Sequence, residues 1–306
     1  MNRKGIFFTS LVLAMISLFV ISYTVISHID ERRAIEKRVQ TLNSYVKSIE
    51  DDIPRQLFIS GYRAIFLMEK RTIETGNYTT SVSSAFQEIF FNGTLYNQTQ
   101  NLTQGVKFSD IQTNLQAKAD KINAEVFLTS PVVSISQEDP WNIKITLTTN
   151  LYVRDKNDLA TWNKTSTLST KIPIKNFDDP LYFISTNGKI TNKINQTSYT
   201  TFAQGSDVSN LNNHLINSYY KDSTAAPSFI NRLQGSLSAS PYGIESLVNL
   251  QELSAAGITI QEKSAVDYIY FSVSNPSSHH IQGMPGWFKL DDSHLSAYQV
   301  SSLTID

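Results

Sequence analysis

Apolar positions change their spacing three times along this chain. From Ile6 to Ser27 no charged side chain interrupts the run, and Arg3 and Lys4 stand just before it. A helix needs about 20 such residues, at about 1.5 Å rise each, to cross the hydrocarbon of a bilayer. The apolar residues then thin to Ile35, Val39, Leu42, Val46, Ile49 and Ile53, in alternating steps of four and three. That is a heptad seam, which predicts a helical stalk whose partner is either a second chain or the protein's own head. Pro54 lacks an N–H and crowds the preceding turn, so the sequence predicts a stop or kink there. Leu57, Tyr62, Ile65, Phe66 and Met68 predict a second helix to about Glu74, closed by Gly76-Asn77.

Beyond residue 76 the pattern mixes periods. Phe86, Ile89, Phe90 and Phe91 form an apolar island in an Asn- and Thr-rich stretch. Ser109-Asp110-Ile111-Gln112 reads as a capping box opening a helix that carries Leu115, Ile122 and Val126. Strict alternation over 143–153 and 167–175, with 127–135 as a third candidate, predicts an antiparallel meander. Pro173 cannot donate to a ladder, which puts its strand at an edge or at its end. Ser185 to Asp207, with Asn187-Gly188, reads as a hairpin or a boundary. Short helices are expected around Val208 to Leu215, Phe229 to Leu233 and Ile244 to Leu253. Residues 266–273 are expected to be an aromatic strand.

The fold class expected is therefore α+β: an amino-terminal transmembrane helix, a helical stalk, then an antiparallel-sheet head with packed helices. The boundaries read as a basic head over 1–5, the transmembrane helix over 6–27 and the stalk over 28–75. The α+β head follows over 76–205, and a mixed carboxyl-terminal lobe over 206–306.

Composition narrows the function classes. The net charge is −1 and the pI about 6.5, which argues against nucleic acid as a partner. There are no cysteines, so thiol chemistry is excluded. No Gly-x-Gly-x-x-Gly, Gly-Lys-Ser/Thr phosphate loop, His-Glu-x-x-His or Gly-x-Ser-x-Gly motif occurs. His279 and His280 with Asp291, Asp292 and His294 are the one cluster of ligand-type residues; adjacent histidines point apart on a strand, and a solvated loop is the expected reading. His28 and His214 stand alone. Asp178-Asp179-Pro180 reads as a turn rather than an acid–base pair. Trp287-Phe288 reads as core closing a domain, with an exposed aromatic platform as its alternative, and Tyr219-Tyr220 shares that ambiguity. No catalytic residue, cofactor or metal ligand is expected.

Asn-x-Thr sequons stand at Asn77, Asn92, Asn97, Asn101, Asn163 and Asn195, about as many as chance gives in a chain this rich in Asn, Ser and Thr. They are acceptors only outside the cytoplasm, so glycans are candidate partners. The downstream basic cluster of Arg32, Arg33, Lys37 and Arg38 opposes that orientation, but long domains translocate largely regardless of charge.

Lys4-Gly5 ahead of an apolar run resembles the class III signal of archaeal type IV pilin-like proteins. The resemblance covers about the first 27 residues. It implies that Lys4 and Gly5 precede a cut and that Ile6 becomes the new amino terminus. Ser10 occupies the fifth mature position, where many pilins carry Glu. The expectation is a non-enzymatic, single-pass surface protein, pilin-like or minor-pilin-like, with a cytoplasmic amino terminus and an extracytoplasmic head. Its partners would be the bilayer and copies of itself or related subunits met through the stalk. The alternative is a membrane-anchored binding module, an adhesin or sensor ectodomain.

Overall fold

The computed structural model describes residues 3–305, with side chains from Phe7 onward. Lys4, Gly5 and Ile6, the residues of the expected cut, therefore lie outside the described side chains. In chain order the elements begin with helix α1 (Arg3–Thr75), α2 (Val82–Asn92), strands β1 (Thr94–Leu95) and β2 (Gln98–Thr99), and α3 (Phe108–Asp120). Three long strands follow, β3 (Ala124–Asp139), β4 (Asn142–Asp155) and β5 (Thr161–Pro173), and then α4 (Pro180–Ser185) and α5 (Ser209–Ile216). The remainder is β6 (Tyr220–Asp222), α6 (Phe229–Leu233), β7 (Ile244–Ser246), α7 (Leu250–Ala255), α8 (Asp267–Tyr270), β8 (Ser278–His280), β9 (Lys289–Asp291) and α9 (Asp292–Leu295). The class is mixed helix and antiparallel sheet, as the alternating and helical periods predict. β3, β4 and β5 form one sheet in that order, with Pro173 closing its edge strand.

Pro54 does not end the stalk helix; it lies inside α1. The lost hydrogen bond and ring clash cost roughly 3 kcal/mol. Ile49, Ile53 and Leu57 around it are almost fully buried, and each such side chain stabilises by about 1.5–3 kcal/mol. Packing on both sides of the proline therefore outweighs its local cost. The helix ends where expected, with Gly76 at φ +65° donating its N–H to the Thr72 carbonyl at 2.9 Å.

The chain divides into two compact units. One comprises Met1–Ile53, Gln112–Pro131 and Thr149–Ser166. Its part of α1 is long and apolar enough to cross a membrane, and Phe7 to Ile29 leave their apolar side chains exposed. Ser17 and Thr24 turn their hydroxyls onto the carbonyls of Leu13 and Ile21, which satisfies both groups without water. Burial begins past residue 38. Leu42, Val46, Ile49 and Ile53 are buried in the unit whose other buried apolar residues include Leu115, Val126, Leu128, Leu151 and Val153.

The other unit comprises Pro54–Ile111, Val132–Thr148 and Thr167–Asp306. Here α1 approaches the sheet through Gly61; a Cβ at that position would stand 2.0 Å from Ile145 Cδ1 and 2.4 Å from Ile172 Cδ1. The apolar island at 86–91 belongs to α2, capped by the Ser81 hydroxyl and ended by Gly93 in the left-handed region. The capping box of α3 sits earlier than its sequence suggests, with Asp110 accepting from the Lys107 N–H at 3.2 Å. Asn187 and Gly188, both at positive φ, terminate α4, and residues 176–179 hydrogen-bond back to 192–194. Two expectations for the last hundred residues are overturned. Ile244–Ser246 is a strand paired with β6, not the start of a helix, and 266–273 contains helix α8, not a strand. A carboxyl-terminal core of Phe202, Leu211, Leu247, Val266, Phe288, Leu290 and Tyr298 packs around these elements.

Gly61→Ala is expected to lower stability by about 1–3 kcal/mol through overpacking. Adding Ile145→Val and Ile172→Val removes the two clashing methyls and should recover part of the loss, read as the shift in Tm of the full chain.

Candidate functional site

Two sets of polar side chains are built into the structure: the fastening of the stalk helix in the first unit, and a buried ionic network in the second. In the first, Arg38 on α1 donates from Nε to Asp155 Oδ1 at 2.7 Å and from Nη2 to the Asn123 carbonyl at 2.8 Å; Nη2 also pairs with Asp155. Asp155 ends β4 and is fully buried, and its other oxygen accepts from the N–H groups of Asn157 and Leu159. Burial opposes its charge, but Arg38 and these N–H donors hold its carboxyl below the usual range. The Tyr45 hydroxyl donates to the Leu115 carbonyl at 2.6 Å, and Lys164–Glu50 and Lys118–Asp52 pair at 2.6 and 2.8 Å. Of the seam residues, Leu42, Val46, Ile49 and Ile53 are buried, Val39 is half-buried and Ile35 is 44% exposed. The seam is thus covered by its own chain from Leu42 onward.

In the second unit, Arg232 on α6 is fully buried between two fully buried carboxylates. Its Nη1 lies 2.6 Å from Asp179 Oδ2 and 3.0 Å from Asp267 Oδ2, and its Nη2 donates to Asp267 Oδ1 at 3.2 Å and to the Ile244 carbonyl. Tyr220 donates to Asp179 at 2.8 Å, and Ser246 donates both its N–H and its hydroxyl to Asp267. Burial raises Asp267, partly offset by Arg232, and pushes the Tyr182 and Tyr220 phenols well up, so both hydroxyls remain donors. Asp179 does form a turn onto its own backbone, capping α4 through the Leu181 N–H at 2.9 Å. It is also half of a buried ion pair that adjacent-residue reasoning could not see.

Strand alternation carries the network to the opposite face of β6 and β7. Tyr220 faces Ser246 across the ladder, while their neighbours Lys221 and Glu245 pair on the other side. Glu245 lies 3.6 Å from Lys221 Nζ and 3.3 Å from His294 Nε2, and His294 Nδ1 lies 2.8 Å from Asp291. Burial works against charge on His294, but its hydrogen bond to Asp291 and the Glu245 carboxylate 3.3 Å away push it up to about 9. Asp291, despite burial, is held down at about 2 by His294, Ser264 and Ser293.

The His279–His294 segment is accordingly no solvated loop. β8 and β9 pair antiparallel with His279 opposite Leu290; His279 meets Asp292 at 2.8 Å at the surface, while His294 and Asp291 are buried. Among the described residues no three His, Asp or Glu side chains are placed to hold a metal ion. His214 is buried against Phe202 and Tyr298, and burial, followed by Lys221, pushes it down to about 3, so it packs as a neutral ring. Phe288 and Tyr220 are core; Trp287 is half-buried beside Phe288. A further buried carboxyl was not anticipated from sequence. Glu69 on α1 accepts from the Asp178 N–H at 2.6 Å, and burial raises it to about 7. Its position on the face of Ile65 and Met68 was the available signal.

The sequons are scattered over both units. Asn77, Asn92, Asn97, Asn101 and Asn163 are not buried, and Asn195 is half-buried. Comparison of the chain with protein-family models, with curated proteins and with solved structures finds no match.

These environments predict a stability that falls with pH above about 6.5; below that, the rise with pH that comes from keeping His214 neutral offsets the decline that comes from Glu69. Glu69 binds its proton more tightly when folded, so its contribution is present below about 4.5 and lost as pH rises through about 7. His294 contributes fully below about 6.5, and that contribution is lost as pH rises through about 9. Chemical denaturation at intervals from pH 4.5 to 9.5 should show little change up to about 6.5 and a decline above it. Glu69→Gln should uncover a rise with pH below about 6.5, and His294→Gln should flatten the decline above it.

Proposed function

We propose that this chain is a non-enzymatic, membrane-anchored surface protein, a pilin-like or minor-pilin-like structural subunit. It crosses the membrane once, with its amino terminus cytoplasmic and the chain beyond the membrane-crossing stretch extracytoplasmic. The observation that carries the reading is the continuity of α1. One helix runs from a bare apolar stretch, suited to lipid, into a seam buried by the protein's own chain and locked by Arg38 and Asp155. A helix fastened in this way leaves the bilayer and enters the folded chain without a flexible linker. The Lys4-Gly5 resemblance adds processing at the membrane face. The Arg232, Asp179 and Asp267 cluster is enclosed, with no exposed side-chain surface.

A second reading, a membrane-anchored binding module, draws on one feature. Phe58, Ile59, Tyr62 and Phe66 on α1 are 38–46% exposed, and Phe58 and Ile59 line a depression of about 430 Å³ together with Pro54, Arg55 and Thr170. Such an aromatic stripe suits recognition of an apolar partner.

Intact mass of the amino-terminal peptide from native membranes tests the first reading; a chain beginning at Ile6 is expected, and one beginning at Met1 or Asn2 turns the assignment to the second. Topology is tested with Leu159→Cys, which introduces the sole thiol into a chain that has none of its own. A membrane-impermeant maleimide should label it on intact cells, and labelling only after lysis contradicts the orientation.

A further inference from the structure

The six sequons are alike in sequence and unlike in structure. An Asn-x-Thr site is used when its carboxamide is accessible and its threonine hydroxyl is free to be recognised. At Asn77 the site is closed from behind: Thr79 is fully buried and donates its N–H to the Leu233 carbonyl, and the Asn77 carboxamide donates to the Thr75 carbonyl. The Thr94 hydroxyl of the Asn92 site is held by Glu88 at 2.8 Å. Thr103 of the Asn101 site is buried, with its hydroxyl on the Gln100 and Gly93 carbonyls. Asn163 lies within β5, and its Thr165 donates to Asn150. Asn195 is half-buried and donates to the Lys193 carbonyl, while its own carbonyl accepts from Tyr220.

Asn97 differs on every count. It sits at the tip of the β1–β2 hairpin, with Tyr96 at φ 51° and Asn97 at φ 63°, a primed turn. Asn97 and Thr99 are both exposed, and among the described residues neither the Asn97 carboxamide nor the Thr99 hydroxyl has a hydrogen-bond partner. The tip is nonetheless tied down by several contacts. Glu88 accepts from the Asn97 and Tyr96 N–H groups at 2.7 and 3.0 Å, the Tyr96 hydroxyl accepts from the Thr80 N–H, and the Arg71 guanidinium lies 3.7 Å over the Tyr96 ring.

We propose that Asn97 is the principal N-glycosylation acceptor of this protein, a reading that rests on the extracytoplasmic orientation given above. The donor class is a glycan carried on a lipid-linked diphosphate. Asn97 Nδ2 forms a bond to the anomeric carbon, and the bond from that carbon to the diphosphate oxygen breaks. Its electron pair leaves on that oxygen, which takes up the proton lost from Nδ2. Thr99 supplies the hydroxyl that the transferase reads.

The test is glycopeptide mass spectrometry on the full chain, purified from a cell whose membranes carry an oligosaccharyl transferase, alongside the Leu159→Cys labelling experiment. Highest occupancy at Asn97 is expected, with its glycan lost in both Asn97→Gln and Thr99→Ala. A glycan on another sequon with Asn97 bare overturns the proposal. So does the absence of any glycan when the Leu159→Cys variant labels from outside, and that result leaves the anchored-surface reading standing. No glycan together with labelling only after lysis overturns both.

Discussion

A single helix that must satisfy two solvents is the constraint on which this structure depends. The first part of α1 offers apolar side chains on every face, and the part from Leu42 to Ile53 offers them on one. No change of secondary structure marks the transition. The change lies in what covers the side chains: nothing from Phe7 to Ile29, and the protein's own chain at Leu42, Val46, Ile49 and Ile53. Arg38 stands where cover begins, and its bond to a buried carboxylate fixes that point. Removing one partner of such a pair strands the other without water, a cost of about 3–5 kcal/mol for a buried pair. The clamp therefore sets where the bare helix ends and the packed helix starts.

The ionic network of the second unit plays a comparable part among short elements. Helices of four to eight residues have little intrinsic stability, and α4, α6 and α8 each place one member of the Asp179, Arg232, Asp267 triad. Three short helices are thereby tied to one guanidinium, and the β6–β7 pair is tied in through Tyr220 and Ser246. The neighbouring Glu245, His294 and Asp291 fasten α9 and β9 to the opposite face of the same strands. A buried triad of this kind specifies an arrangement more than it adds net stability.

What could be read from sequence was whatever is local in period. The seam, the Gly76 stop and the alternation of β4 and β5 each rest on spacings within one element. Pro54 misled because its cost is local while the burial of Ile49, Ile53 and Leu57 that outweighs it is tertiary. Residues 266–273 misled for the same reason. Aromatic and β-branched side chains favour a strand, but Asp267 is held by Arg232, thirty-five positions away, and a helical turn places it there. Asp179, Arg232 and Asp267 each look like surface residues until they meet. The Glu88 bracket that sets Asn97 apart from five similar sequons is likewise invisible in an Asn-x-Thr pattern.

The central claim is that the stalk seam is filled by the chain itself. Leu42→Lys and Ile49→Lys, each in the full-length protein in detergent micelles, test it through thermal unfolding and oligomeric state measured together. A large fall in Tm with the oligomeric state unchanged is the predicted result. An unchanged Tm accompanied by dissociation of a dimer or larger assembly would contradict it, since the seam would then belong to a partner.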